Sequence, residues 1–226
     1  MKKFEKFKMN RREEIKMKKN ILLINICKEK LHFFEFVKPI KDILTKNKIK
    51  YFARDYKKLK KKDLLEASKV IICGTSLYDN EFFRNIDNFA WIKNYKKPIL
   101  GICGGMQIIG MIFREKLKRK TKESNSFLKK KTEIGFYKEK FKKEFLGLEG
   151  EEKVYHLHNY YIDFLKLKEF EVFSGNKATQ AVKHKKKEIY GVLFHPEVRN
   201  KDLIQKFISI STPELEKELS IVPEKR

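Results

Sequence analysis

The sequence predicts an α/β fold: a flavodoxin-like, doubly wound, mostly parallel sheet with a mixed or antiparallel edge. Three observations predict it. Uninterrupted apolar runs recur as "ILLINIC" (21–27), "KVIICG" (69–74) and "KPILGIC" (97–103), the pattern of strands buried on both faces. Segments with helically spaced apolar residues separate these runs. Beyond about residue 120 the runs shorten and several alternate, as strands with one solvated face do.

Taken in order, 21–27 is the first strand. Residues 31–47 place apolar side chains at 33, 34, 37, 40, 43 and 44, a helical stripe that Pro39 is expected to kink or split. A short strand at 49–54 and a helical turn at 62–67 precede the strand at 69–74. The stretch "NEFFRNIDNFAWIKN" (80–94) reads as a helix, 97–103 as a strand and "MQIIGMIF" (106–113) as the helix that follows. Strands are then expected at 132–137, 153–163, 171–175, 179–185 and 188–195, adding the mixed or antiparallel edge, before a closing helix at 201–210. Residues 1–18 form a basic extension, 19–211 one domain, and 212–226 a charged tail.

Lysine and arginine number 54 against 30 acidic residues, a net charge of +24. The lysines are scattered through nearly every segment and accompany no RNA-binding signature, so they read as solvated faces. No window is apolar enough for a membrane span, and the charged first twenty residues lack the apolar core of a secretory signal. Three cysteines, without metal-type spacing, point to free thiols in a reducing cytoplasm.

"GICGGMQ" (101–107) puts Cys103 where a buried strand turns into a helix. Such an elbow strains the nucleophile's backbone and presents its side chain at the sheet's carboxyl end. Gly101, Gly104 and Gly105 permit the close backbone approach. The helix N-terminus favours thiolate and supplies N–H groups for a developing oxyanion. Of five histidines, His195 in "YGVLFHPEV" is delivered to the end of an apolar strand, with Glu197 two positions on to fix its tautomer.

These residues carry a resemblance. "GICGGMQ" is similar to the G-x-C-x-G-x-Q elbow of the class I (triad) glutamine amidotransferases, and "HPE" to their His–Glu pair, in the same order along the chain. The likeness spans about residues 18–210. Within the family, "KKPILGICGGMQIIG" and "AVKHKKKEIYGVLFHPEV" most resemble the stand-alone glutaminase subunits of archaeal-type GMP synthases. "HLHNYYID" (156–163) is similar to a stretch of carbamoyl-phosphate synthetase small subunits. The resemblance implies the class I amidotransferase fold and Cys103, His195 and Glu197 as catalytic residues. It further implies Gly74, Thr75, Gly104, Gln107, His158, Asn159 and Tyr160 at oxyanion and substrate positions. No cofactor or metal is implied. Glutamine is the implied substrate, and an ATP-dependent synthetase that accepts the ammonia is the implied partner.

The chain departs from the family at "CGTSLYDN" (73–80), where Thr75 and Ser76 replace the usual second glycine and proline. A β-branched threonine resists positive φ, so this loop is expected to slow the reaction or make it partner-dependent. His156 and His158 should share a strand face. His32 reads as helix packing, His184 as exposed among lysines, and Glu133 and Gly135 as turn residues. Two alternatives stand beside the leading reading: a Cys-dependent γ-glutamyl hydrolase of the same fold, and a weakly catalytic module binding RNA or another polyanion.

Overall fold

The computed structural model describes residues 20–118, 128–175 and 178–211. The expected N-terminal extension and C-terminal tail lie outside the described residues. The chain runs β1 (Ile21–Asn25), α1 (Lys30–His32), a π-helical turn (Phe33–Val37), α2 (Lys38–Lys46), β2 (Tyr51–Asp55), α3 (Lys61–Glu66), β3 (Lys69–Ile72) and α4 (Glu81–Arg84). A 3-10 segment (Ile86–Lys93) leads to β4 (Ile99–Ile102) and α5 (Gly104–Lys118). Then follow β5 (Leu128–Phe145), β6 (Leu148–Ile162), β7 (Phe170–Ser174), β8 (Ala181–His184), β9 (Ile189–Val192) and α6 (Lys201–Ser209).

Seven strands form one sheet in the order β2-β1-β3-β4-β9-β8-β7. β2, β1, β3, β4 and β9 are parallel, while β8 and β7 add an antiparallel edge. The apolar runs are buried on both faces, as expected. Ile21 and Leu23 of β1 join one core cluster with Ile71, Leu100 and Phe207, and Leu22 and Ile24 join the other with Val70, Ile99 and Ile109. Successive residues of a strand point to opposite faces, so unbroken apolar sequence feeds two layers.

Three local expectations are corrected. Pro39 neither splits nor ends its helix. It sits in the first turn of α2, where a missing N–H is tolerated, directly after the wider π-helical turn. Residues 80–94 are not one α-helix. The Asn85 side chain donates to the Glu81 carbonyl, which an α-helix would fill with the Asn85 N–H, and that N–H bonds Phe82 instead. The strands expected at 132–137 and 153–163 do not extend the sheet edge. They belong to β5 and β6, a separate antiparallel hairpin. The antiparallel edge is made by β8 and β7 instead, and β5 and β6 pair as strands only with each other.

Close approach between α5 and the sheet depends on Gly105, where an added Cβ would stand 2.3 Å from the Ile72 carbonyl oxygen. Backbone cannot yield as a flexible side chain does. Gly105→Ala is expected to destabilise the fold by about 1–3 kcal/mol, read as a lower urea midpoint at unchanged slope.

Candidate active site

Cys103 lies between the end of β4 and the start of α5, with its backbone in the left-handed region at φ 49°. This is the strain expected of an elbow, here observed. Two hydrogen bonds hold it: Cys103 N–H donates to the Val192 carbonyl (2.8 Å), and Gln107 N–H to the Cys103 carbonyl (3.1 Å). Because Cys103 precedes the first helical residue, the N–H groups that open α5 have no acceptors within the helix.

Next to β4 in the sheet, β9 ends at Val192, and three residues later comes His195. Its N–H donates to the Tyr155 carbonyl of β6 at 2.8 Å, and the Phe36 ring packs against its imidazole at 5.4 Å between centroids. Nδ1 donates to Glu197 Oε1 at 2.7 Å, with both side chains 1% exposed. Nε2 is buried and makes no conventional hydrogen bond. Burial by itself lowers the proton affinity of His195. The Glu197 carboxylate and then the Cys103 sulfur outweigh it and hold the imidazole well above its usual value.

Gly74 follows β3 and lies beneath this ring: a Cβ there would stand 2.6 Å from His195 Cε1 and 3.5 Å from Cys103 Cβ. Thr75, Cys103, Gly104, Gln107, His158, Asn159 and Tyr160 all line one cleft of ≈ 260 Å³. Of the residues singled out in the sequence, Gly74, His195 and Glu197 lie behind its wall. The cleft's far wall is β6. Cys103 Sγ faces the Leu157 carbonyl at 3.5 Å, Gln107 Nε2 donates to the Tyr160 carbonyl at 2.6 Å, and Asn159 Nδ2 to the Leu77 carbonyl at 3.1 Å. Burial pushes the His158 imidazole down to about 4, so the ring enters this wall neutral.

The loop after β3 keeps Thr75 out of the left-handed region. Thr75 has no positive φ, so its β-branch meets no backbone conflict. Its hydroxyl donates to Asp79 Oδ2 (2.8 Å), which also bonds His32 Nδ1 (2.8 Å) and the Lys28 N–H (3.0 Å). Burial works against the Asp79 charge, but these donors outweigh it and leave the carboxyl below its usual range. Asp79 thus ties the loop to the chain after β1, a role not read from the sequence, although "TSLYD" already held a carboxylate four residues from Thr75. His32 packs against the Phe36 ring, as expected of a helix residue, and its Nδ1 is also a hydrogen-bond partner of Asp79.

Two further expectations are corrected. His184 is buried between the Phe113 and Phe170 rings, since its strand position turns inward despite the flanking lysines. Glu133 is a buried strand residue, not a turn residue, and lies 3.1 Å from both His156 and His158. A second groove, lined by Leu64, Trp91 and Tyr95, shares no lining residue with this cleft and presents lysines but no cysteine.

A strained thiol at a strand–helix elbow, beside a carboxylate-bonded imidazole at the carboxyl end of a doubly wound sheet, defines a candidate site for cysteine-based acyl chemistry. The chain belongs to the class I glutamine amidotransferase family, whose sequence model matches residues 35–210. It is 30% identical over 145 residues to the glutamine-hydrolyzing GMP synthase of Spiroplasma kunkelii, covering 62% of this chain and 26% of that protein. It is 35% identical over 155 residues to the imidazole glycerol phosphate synthase subunit HisH 2 of Campylobacter jejuni, covering 64% and 76% respectively. The chain therefore spans about a quarter of the GMP synthase it matches. In fold it is similar to a GMP synthase subunit of Thermoplasma acidophilum, with a TM-score of 0.70 at 21% identity over 89% of this chain and 96% of that one. The glutaminase domain of Trypanosoma brucei CTPS also shares the fold, at a TM-score of 0.63 and 12% identity over 89% of this chain and 93% of that one. Among the described residues, no helix is long and apolar enough to cross a membrane.

The electrostatics of the thiols and of the His195–Glu197 pair can both be tested. Desolvation pushes the Cys27 thiol up to about 12 and the wholly buried Cys73 well above its usual value. In the native protein at about pH 8, mass spectrometry after brief iodoacetamide treatment should find Cys103 carboxamidomethylated and Cys27 and Cys73 intact. For Glu197→Gln, burial is left without its counter-charge, so the His195 titration followed by NMR moves down. The sign of the stability change follows. In the wild type the raised imidazole stabilises the fold fully below the unfolded value of about 6.5 and loses that contribution as pH rises through the native value. In Glu197→Gln the buried neutral ring instead loses stability as pH falls below about 6.5, seen as a urea midpoint that drops toward acid.

Proposed function

We propose that this protein hydrolyses the side-chain amide of glutamine and passes the ammonia to a synthetase partner. The observation that carries the reading is the His195–Glu197 hydrogen bond of 2.7 Å beside an elbow cysteine at φ 49°. In this mechanism the Cys103 thiolate attacks the amide carbon of glutamine. N–H groups of Gly104 and of the loop at Gly74 and Thr75 hold the resulting oxyanion. The His195 imidazolium gives its proton to the amide nitrogen, the C–N bond breaks and ammonia leaves. The γ-glutamyl thioester then accepts a water whose proton His195 removes, and glutamate departs as the C–S bond breaks. Glu197 holds the ring in the tautomer this shuttle needs. Gln107, His158, Asn159 and Tyr160 surround the position that the substrate's α-amino and carboxylate groups would take.

The names of the relatives support glutamine as substrate and a synthetase of the GMP synthase type as the ammonia acceptor. The chain's excess of 54 basic over 30 acidic residues suits docking on an acidic partner face, steered by long-range attraction.

Cys103→Ala should lower glutaminase turnover by about 10,000-fold or more while the partner synthetase still works on free ammonia. A glutamine-mimicking electrophile should alkylate Cys103 alone. Labelling of Cys27 or Cys73 instead, or undiminished turnover in Cys103→Ala, would overturn the assignment.

A further inference from the structure

The buried face of the β5–β6 hairpin carries a group of side chains of which the proposed reaction uses only His158, and that one beside the substrate position and not in bond breaking. In the hairpin register Glu133 stands opposite His158, and Gly135 opposite His156. The period of two puts Glu133, His156 and His158 on one face. All three are buried. Glu133 Oε2 lies 3.1 Å from His156 Nδ1 and 3.1 Å from His158 Nε2, and one ligand-type atom from each residue falls within 4.8 Å of the others. Donors of a tetrahedral ion bound at about 2.0–2.2 Å stand about 3.3 Å apart, close to this spacing.

The outer nitrogens show which way the rings are polarised. His158 Nδ1 faces the Lys131 carbonyl at 3.2 Å. A carbonyl only accepts, so Nδ1 carries the proton and Nε2 turns its lone pair toward the Glu133 carboxylate. Two acceptors at that distance repel each other unless a cation lies between them. On the other ring, His156 Nε2 is buried without a hydrogen-bond partner and faces Glu139 Oε1 at 3.7 Å. A carboxylate behind an imidazole is the arrangement that orients a metal-bound histidine. A fourth donor is at hand. The Gln180 amide nitrogen lies 3.5 Å from His158 Nε2, its Oε1 is buried without a partner, and a half-turn of the amide exchanges the two. The Lys131 ammonium pairs with the other oxygen of Glu133 and leaves Oε2 for an ion.

We propose that Glu133, His156 and His158 bind a divalent transition-metal ion, with Zn²⁺ the best match to a nitrogen–oxygen set of this size, and Gln180 or water as fourth ligand. The ion would pin β5 to β6. Leu157, whose carbonyl faces Cys103 Sγ, lies between the two histidines, so the ion braces the wall of the cleft and takes no part in bond breaking. This inference stands whether or not the chain splits glutamine.

The test uses the full chain as Cys103→Ala, which removes the thiol–imidazole pair as a competing zinc site. After chelation and reloading with Zn²⁺ or Co²⁺, the expected result has three parts. One ion per chain survives gel filtration, thermal unfolding shifts upward with metal, and the Co²⁺ form shows visible d–d bands without thiolate charge transfer. His156→Asn and Glu133→Gln, with native circular dichroism, should each bind at least about tenfold more weakly. Failure to retain an ion, a thiolate charge-transfer band, or undiminished binding in both folded variants overturns the proposal. The first two readings need no second variant, so they decide the matter even if the substitutions unfold the hairpin.

Discussion

The left-handed backbone of Cys103 is the constraint on which the rest of the site depends. A non-glycine residue in that conformation carries a local cost of about 1–2 kcal/mol, which the surrounding structure must offset. Here the offset comes from both neighbours along the chain's path. β9 accepts the Cys103 N–H, and α5 draws its first helical bond from the Cys103 carbonyl. The turn is then sharp enough that α5 must lie almost on β3, which is why Gly105 meets the Ile72 carbonyl with no space for a side chain.

β4 sits between β3 and β9 in the sheet. All three end on the same side because they are parallel, so the loop after β3 and the segment after β9 arrive on either side of the cysteine. Gly74 comes from one and His195 from the other. Ligand sites of open α/β sheets gather at the carboxyl ends of strands for this reason. The hairpin closes the fourth side with main-chain groups of β6: Tyr155 holds His195, Leu157 faces Cys103 and Tyr160 holds Gln107. Backbone carbonyls can supply such a wall with little demand on side-chain identity, which leaves alternate residues of β6 free for the buried histidines.

Electrostatics separates three thiols that the composition treats alike. Cys27 and Cys73 are buried, and desolvation keeps them protonated. Cys103 opens a helix and has an imidazole beside it whose charge Glu197 sustains. The same logic explains Asp79: a buried carboxylate is stable there only because three donors converge on it, and in satisfying it they hold the loop after β3 in place.

Much of this was legible in the sequence because it rests on local pattern. Apolar runs at 21–27, 69–74 and 97–103 specify strands buried on both faces, and glycines around Cys103 specify a turn that no bulkier residues would permit. Residue chemistry made Cys103, His195 and Glu197 candidates, and the resemblance of "GICGGMQ" and "HPE" to the family's motifs joined them into one set. What tertiary structure alone decided were the contacts between segments distant in the chain. Asn85 turned a helical pattern into 3-10 geometry by capturing a carbonyl. β5 and β6 paired with each other as a separate hairpin, while β8 and β7 made the sheet's antiparallel edge. His184 went inward, His32 found Asp79, and Glu133 found two histidines across a strand pair. Periodicity reports which face a residue occupies, whereas the partner it meets there is set by register and packing, which no local stretch of sequence contains.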